Sequence, residues 1–197
     1  MEPCKFFWAF IAVALSCSAC AKPFDMSGER LTPLGPEWGV VIGSVMVKPV
    51  KGAGESGKSR DSSDASYEFD IVQTQPGDPD GESAYADHYR LTSKAGEERV
   101  FISRLRTGSY LIRGFSQDQI GGKGGDLDLV FDCMAGEVRY LGRILVEVPQ
   151  RVTRGKEYRF SVENARESTL AKVAGPHPEL AKQAVEAPMR SREQSAP

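Results

Sequence analysis

The sequence has few of the residues from which function is usually recognised. It contains only 2 histidines, His88 and His177, and neither has a cysteine or a second histidine at metal-ligand spacing. Lysine and arginine number 25 against 27 for aspartate and glutamate, so the net charge of −2 does not favour a nucleic acid as partner. The sequence contains no G-x-S-x-G motif, which is the pattern that would indicate a hydrolase. We therefore expect no enzyme activity, no cofactor and no structural metal ion.

Cysteines and long apolar runs are also scarce. Cys4, Cys17 and Cys20 lie among the first 20 residues, which leaves Cys133 alone in the body of the chain and excludes a disulfide framework there. The uncharged stretch 6–21 has 16 residues, fewer than the roughly 20 that a membrane-spanning helix needs. We expect no permanent transmembrane helix in this stretch.

The N-terminus has the order of parts of a signal peptide. Lys5 precedes the apolar run FFWAFIAVAL, and the small residues and cysteines of SCSAC follow it. A buried core helix is the alternative, and it fits poorly because the run is apolar on all sides. We expect residues 1–19 to be a signal peptide.

The Ser-Ala-Cys that ends at Cys20 resembles the lipobox of bacterial lipoproteins. The resemblance implies cleavage before Cys20 and attachment of acyl chains such as palmitate, and Cys17 is the alternative acceptor. The leucine usual three residues before the acceptor is absent, because Cys17 stands there. The resemblance also implies that Ala21, since it is not an aspartate, permits sorting to an outer membrane where the organism has one, and we expect the protein to face the periplasm or the cell surface. Residues 20–37 are then predicted to be the lipidated cysteine and a tether, since 21–37 contains three prolines and two glycines without a period.

The body of the chain is predicted to be all-β. Apolar and polar residues alternate or form short apolar runs over eight segments: 38–47, 67–71, 88–93, 99–103, 109–116, 127–133, 138–148 and 158–163. Glycine-containing turns separate them, and no helices intervene, which favours an antiparallel β-sandwich over residues 38–163. Apolar residues at even positions from Tyr140 to Val148 predict a single register for that strand, and Gly142 within it predicts a bulge or close packing.

Two motifs in this region resemble the bacterial prealbumin-like, or CnaB-like, β-sandwich modules. Leu105, Gly108 and Tyr110 form an L-x-x-G-x-Y turn, and the sequence GEVRYLG follows at 136–142. The resemblance covers about residues 100–165 and implies a fold, not a function, because such modules serve as spacers, stalks and assembly lipoproteins alike. Independently of it, Gly108 supplies a permissive backbone, and Tyr110 can bury its ring while its hydroxyl bonds a neighbouring segment.

The C-terminal region changes character. Residues 164–187 carry alanine, leucine, glutamate and lysine at helical spacing, interrupted by Gly175 and Pro176, which predicts a short helical tail. Residues 188–197 are predicted to be disordered.

The stretch 52–59 satisfies the phosphate-binding pattern G-x-x-x-x-G-K-[ST] and resembles the P-loop of heterotrimeric G-protein α subunits. The matching residues are Gly52, Gly57, Lys58 and Ser59. A P-loop must open a helix that packs on a sheet, but the residues that follow, RDSSDAS, offer no apolar position to pack. We interpret 51–66 as a flexible insertion between two strands and the P-loop as a decoy.

Two further candidates have structural alternatives. Asp78, Asp80 and Glu82 could offer oxygen atoms to Ca²⁺, but their spacing is short of an EF-hand loop and an exposed turn explains them. Cys133 has the parity of a core residue, with no cation to stabilise a thiolate.

The sequence thus predicts a non-catalytic cell-envelope lipoprotein. It would be held to a membrane by its lipid and would present a β-sandwich in a structural or protein-binding role. The alternative is a carbohydrate-binding or accessory module of an envelope enzyme system, for which Trp38, Tyr85 and Tyr89 are candidate sugar platforms.

Overall fold

The computed structural model describes residues 21–28, 35–50, 65–75, 77–83, 86–117, 124–149 and 158–195. Its elements are β1 (Lys22–Pro23), β2 (Trp38–Val50), β3 (Ser66–Thr74), β4 (His88–Lys94), β5 (Glu98–Arg106), β6 (Gly108–Gln117), β7 (Gly124–Cys133), β8 (Val138–Pro149), β9 (Arg159–Glu163), α1 (Arg166–Ala174), α2 (Pro178–Gln183), β10 (Val185–Glu186), β11 (Arg190–Ser191) and a 3₁₀ turn (Arg192–Ser195). The eight predicted strands and the helical segment after them are confirmed.

The strands form two facing sheets, which confirms the all-β sandwich. One sheet has the order β1-β4-β3-β6-β7-β11, and the other has the order β10-β8-β2-β5 with β9 also paired to β8. The prediction that pairing is antiparallel throughout is wrong, because β2 runs parallel to β8, with Val40 opposite Val138. Alternation identifies the buried face of a strand but not the direction of its neighbour. The chain between β2 and β8 passes through the other sheet, so this parallel pair needs no crossover helix.

The main core lies between the two sheets. Its largest fully buried side chains include Phe69, Phe101 and Tyr110. The predicted inward residues of β3 (Tyr67, Phe69, Ile71) and of β7 (Leu127, Leu129, Phe131, Cys133) are all buried there. The period-2 pattern therefore identified the core faces of these two strands correctly.

A second core lies on the outer face of the sheet that contains β2 and β8. There α1 and α2 pack on this sheet through Leu170, Val173 and the partly buried Leu180. The sheet supplies Val40, Ile42, Ile102, Val138 and Tyr140 to this second core. The molecule thus has three layers, and β2 is buried on both faces, which explains its nearly continuous apolar sequence.

At Gly142 the alternation of β8 side chains between the two cores shifts by one residue. The φ of Gly142 is +95°, and the pairing of β8 with β2 shifts there, from Ile42 opposite Tyr140 to Ser44 opposite Arg143. The bulge predicted at Gly142 is confirmed. The single register is wrong, because Tyr140 belongs to the core under the helices and Ile144 to the core between the sheets.

The N-terminal segment 22–27 closes one flank of the sandwich, the gap between edge strands β4 and β5. Its Phe24 N–H donates to the Arg90 carbonyl (2.9 Å) on β4, and its Met26 N–H donates to the Ile102 carbonyl (2.8 Å) on β5. The Phe24 ring fills the gap and is 1% exposed. The predicted tether over 20–37 is therefore wrong for these residues, since the edge strands and an apolar slot hold them.

The C-terminal segment 185–191 closes part of the opposite flank, between β8 and β7. Its Met189 N–H donates to the Leu141 carbonyl (2.9 Å) on β8, and β11 pairs with β7, with Arg190 opposite Val130. The Met189 side chain is 3% exposed. The predicted disorder over 188–197 is therefore wrong for residues 188–195. Phe24 and Met189 are single apolar residues in polar surroundings, so no periodicity signalled their burial.

Two predictions about the N-terminal part and the insertion lie largely outside the described residues. The signal peptide 1–19 is not described, and of the insertion 51–66 only Ala65 and Ser66 are described, with Ser66 beginning β3. Within the described ranges, no helix combines the length and the apolar character needed to cross a bilayer.

Candidate functional site

Several predicted site residues also fall outside the described part of the chain. These are the acyl acceptors Cys20 and Cys17, the P-loop residues Gly52, Gly57, Lys58 and Ser59, and the aromatic Tyr85. The lipid anchor and the decoy P-loop therefore remain predictions.

The residues that carry the prealbumin-like resemblance form a structural corner. The ring of Tyr110 is fully buried and stacks on Phe131 at 5.3 Å between centroids. Its hydroxyl donates to the Arg106 carbonyl (2.9 Å) just before the turn, and burial raises the pKa of this hydroxyl. Gly108 has a φ of +151°, and a Cβ there would meet Gln73 Nε2 at 2.9 Å. The motif therefore determines how β5 turns into β6, as expected from its residues.

Cys133 is a buried thiol without nucleophilic character. It is 1% exposed, and its Sγ lies 3.6 Å from the Leu105 carbonyl oxygen. Burial raises the pKa of this thiol to about 11, so it is protonated at neutral pH. The core position predicted from its parity is confirmed.

The acidic turn after β3 uses its carboxylates within the protein. The two Asp78 oxygens accept hydrogen bonds from the backbone N–H groups of Ser83 and Glu82, each at 2.9 Å, and these bonds lower the pKa of the carboxyl. Asp80 pairs with Arg192 at 2.5 Å. Among the described residues, no three histidine, cysteine or acidic side chains gather as metal ligands. These contacts favour the interpretation of 77–83 as an exposed turn.

The two histidines lie in different parts of the fold. His88 begins β4 and is half-buried. The preceding residue, Asp87, accepts hydrogen bonds from Lys22 (2.5 Å) and Tyr89 (3.4 Å). His177 precedes α2, with its Nε2 3.0 Å from the Ser27 carbonyl oxygen. This contact links the helical layer to the N-terminal segment.

One of the three aromatic residues considered for a sugar platform, Tyr89, is buried. The Tyr89 ring is 7% exposed and packs edge-on against Phe24 and Tyr110, so it cannot stack on a ligand. Trp38 is half-buried, with the guanidinium groups of Arg104 and Arg106 over its ring at 4.9 and 5.7 Å. Of the candidate platform residues, Tyr89 is therefore not available on the outer face.

One end of the sandwich gathers charged and amphipathic side chains next to the N-terminal segment. We call it the Lys22 end. Lys22 lies there opposite Tyr89, at the start of β4. The turn from β4 to β5 crosses from one sheet to the other and reverses the chain, so that Arg106, at the end of β5, returns to the same end, where it is opposite Trp38. The 45% exposed Met134 follows β7 at this end too. Long basic and aromatic side chains of this kind are adapted to a boundary between apolar and aqueous surroundings.

A polar cluster joins the helices to the outer face of the sheet that contains β2 and β8. It lies toward the end of the sandwich opposite the Lys22 end. The Glu98 carboxylate accepts hydrogen bonds from Ser44 (2.8 Å) and Lys172 (2.6 Å) and lies 3.6 Å from Arg143. Burial raises the pKa of Glu98, but the hydrogen bonds and charges of these partners outweigh that effect and lower it below the ordinary value. The cluster binds β2, β5, β8 and α1 together, which is a structural role that the sequence did not indicate.

No protein-family model matches this chain, and neither does any curated protein or solved structure. The function must therefore be argued from the residues and their geometry.

Proposed function

We propose that the protein is a non-catalytic lipoprotein of the cell envelope, anchored by acyl chains on Cys20 and presenting its β-sandwich to a protein partner. The observation that supports the anchor is the apolar run followed by the lipobox-like Ser-Ala-Cys that ends at Cys20, and the docking of residues 22–27 bears on how an anchored molecule would sit at the membrane. In an anchored protein only Ala21 would separate the lipidated cysteine from β1. The sandwich would then be held against the membrane surface, not on a flexible tether.

This anchoring would also orient the molecule. Lys22 lies at the same end of the sandwich as Trp38 and Arg106, so that end would face the lipid headgroups. Basic and aromatic side chains interact favourably with that region of a bilayer. The opposite end and the two sides of the sandwich would remain accessible to a partner.

The surroundings of the polar groups support a non-catalytic role. The candidates with reactive chemistry are used within the fold: Cys133 is buried and protonated, Asp78 accepts the N–H groups of its own turn, and Asp87 is engaged with Lys22. A general base or a nucleophile needs to be free to act on a substrate, and these groups are engaged in contacts within the protein.

Metabolic labelling with palmitate tests the anchor. We expect label in the wild-type chain and in Cys133→Ala, which is the matched control, and loss of label in Cys20→Ala. Loss in Cys17→Ala alone would move the acceptor to Cys17. Absence of label in the wild type would refute the lipoprotein proposal.

Cross-linking in intact envelopes, followed by purification of the protein, tests the partner role. We expect a specific envelope protein to be recovered with the wild type and to be lost when the Cys20→Ala protein is no longer at the membrane. Recovery of the same partner irrespective of anchoring would contradict the idea that anchoring presents the sandwich to it.

A further inference from the structure

Strand β9 differs from the other edge strands of the sandwich. In the part of the chain that the structure describes, β9 pairs only with β8. By contrast, the outer edges of β4, β7 and β5 each have a backbone partner over part of their length, namely β1 on β4, β11 on β7 and the Met26 N–H on β5. Arg159, Phe160 and Ser161 are all exposed. An edge strand of this kind offers backbone N–H and C=O groups to another strand.

The edge at β9 has only part of the usual protection against such pairing. Its five residues, RFSVE, contain no proline and no lysine, and its register with β8 is continuous from Arg159 to Glu163. Natural edge strands that avoid association use proline, lysine and other charged residues, a bulge or a very short length. β9 is short and carries two charges, but Arg159 and Glu163 are of opposite sign, so they do not repel a second copy in antiparallel register.

An apolar surface accompanies the open edge. Phe160 is 37% exposed and stacks on Tyr158, at 6.5 Å between centroids and 21° between planes. Tyr158 packs edge-on against Phe115 and donates its hydroxyl hydrogen to the Asp126 carbonyl (2.6 Å) on β7. The rings of Tyr158 and Phe160 fill one part of the flank between the sheets, next to the part that Met189 closes. The outermost ring of the group, Phe160, stays partly in water.

The sequence of β9 is complementary to itself. When two copies are placed antiparallel about Ser161, Arg159 of each lies opposite Glu163 of the other, and Phe160 lies opposite Val162. Opposite charges and aromatic residues facing β-branched ones are favourable cross-strand pairs. Within the described residues Arg159 forms no salt bridge, while Glu163 binds Arg143 and its side chain is still 37% exposed.

We propose that two copies of this chain associate through antiparallel pairing of β9 with β9, about a twofold axis at Ser161. The pairing joins the two β8-containing sheets into one continuous sheet and covers Phe160. A twofold interface of this kind is closed and does not propagate into fibres. Because a five-residue strand buries little area, the association is weak in dilute solution and strengthens when the local concentration is high.

Cross-linking at the twofold axis tests the register. Directly opposed residues in antiparallel strands have Cα atoms about 4.5–5.5 Å apart, which lies within the range that a disulfide spans. In the purified full chain we expect Ser161→Cys to form a disulfide-linked dimer under mild oxidation. Lys182→Cys, at a 72% exposed position on α2, is the control and should not. Equal cross-linking of the two variants would overturn the proposal.

A charge exchange tests the pairing independently. Arg159→Glu alone places two acids opposite each other, and Glu163→Arg alone places two bases opposite each other, so each variant should be monomeric in sedimentation at concentrations where the wild type forms dimers. A mixture of the two variants restores both opposite-charge pairs and should form mixed dimers. Wild-type protein that stays monomeric at every concentration, or a mixture without mixed dimers, would overturn the proposal. Since Glu163 also binds Arg143, thermal melting checks that this variant folds, and the Ser161→Cys experiment does not depend on it.

Discussion

Single polar groups, buried or half-buried, join separate elements of this protein. The Tyr110 hydroxyl joins β6 to the end of β5, and the Glu98 carboxylate joins two sheet strands to α1. In each case a polar group that would be costly to bury is satisfied by a partner from a different element. Such residues determine which elements meet, in addition to contributing stability.

Removal of the Tyr110 hydroxyl measures its contribution. Tyr110→Phe keeps the buried ring but leaves the Arg106 carbonyl without its partner, so we expect a loss of about 1–3 kcal/mol in the free energy of unfolding. Urea denaturation measures it. Tyr158→Phe is the matched control and should cost less, because the Asp126 carbonyl that it leaves is exposed to water. A greater loss in the control would contradict the role given to Tyr110.

Glu98 should make stability depend on acid pH. Its pKa is lowered in the folded protein, so its stabilising contribution is present above the ordinary value of 4.5 and is lost as the pH falls through the lowered value. We expect Glu98→Gln to reduce stability at neutral pH and to weaken the decline in stability as the pH falls below 4.5. Denaturation midpoints across this range measure the effect. Glu179→Gln, on an exposed helical ion pair, should leave the profile unchanged.

At the scale of elements, the two flanks of the sandwich are closed by chain segments that the sequence did not mark as structured. Both segments use the same device, in which short backbone pairing to each sheet accompanies one apolar side chain between the sheets. They cover part of the outer edges of β4, β5 and β7 and, through Phe24 and Met189, exclude water from the core. Among the described residues, Tyr158 and Phe160 close the flank beside β9.

The N-terminal segment should therefore contribute to stability in spite of its polar sequence. Phe24→Ala empties the slot between β4 and β5, and we expect it to cost about 3–5 kcal/mol. Phe160→Ala should cost about 1–2 kcal/mol, because that ring is partly in water in the monomer. Thermal or urea unfolding of the monomer compares the two. Equal losses would indicate that residues 22–27 do not close the flank.

At the scale of the whole molecule, the helices and both terminal segments complete the fold. The helical layer covers the outer face of β2, β5 and β8, and His177 contacts the N-terminal segment through Ser27. The C-terminal region is thus part of the sandwich and not an appended tail. The molecule should unfold as one cooperative unit, because each layer buries part of its neighbour.

Truncation tests this dependence. A chain that ends at Gln183 lacks β10, β11 and the buried side chains Ala184 and Met189, so we expect a much lower melting temperature or no cooperative transition. A chain that ends at Ser195 is the control and should melt like the full protein. Near-ultraviolet circular dichroism during heating measures both. Similar melting of the two truncated chains would contradict a structural role for this segment.

The features of the fold that could be predicted are those that depend on the local spacing of apolar and polar residues. Alternation over residues such as Tyr67, Phe69 and Ile71 identified strands and their buried faces, and helical spacing identified the region of α1 and α2. The candidate chemistry was harder to judge from sequence. The sequence offered Tyr89 as a candidate ligand platform because a tyrosine near the start of a strand has the same neighbouring residues whether its ring is buried or exposed. Its burial depends on Phe24, which is distant in sequence.

By itself, the sequence determined which segments become strands, which face of most of them is buried and where Gly142 interrupts β8, because these features depend on side chains only a few residues apart. The tertiary structure decided that β2 and β8 run parallel, that Phe24 and Met189 close opposite flanks and that β9, within the described residues, pairs with β8 alone. These outcomes depend on backbone groups and apolar slots that exist only after distant strands have been brought together, so no local pattern encodes them.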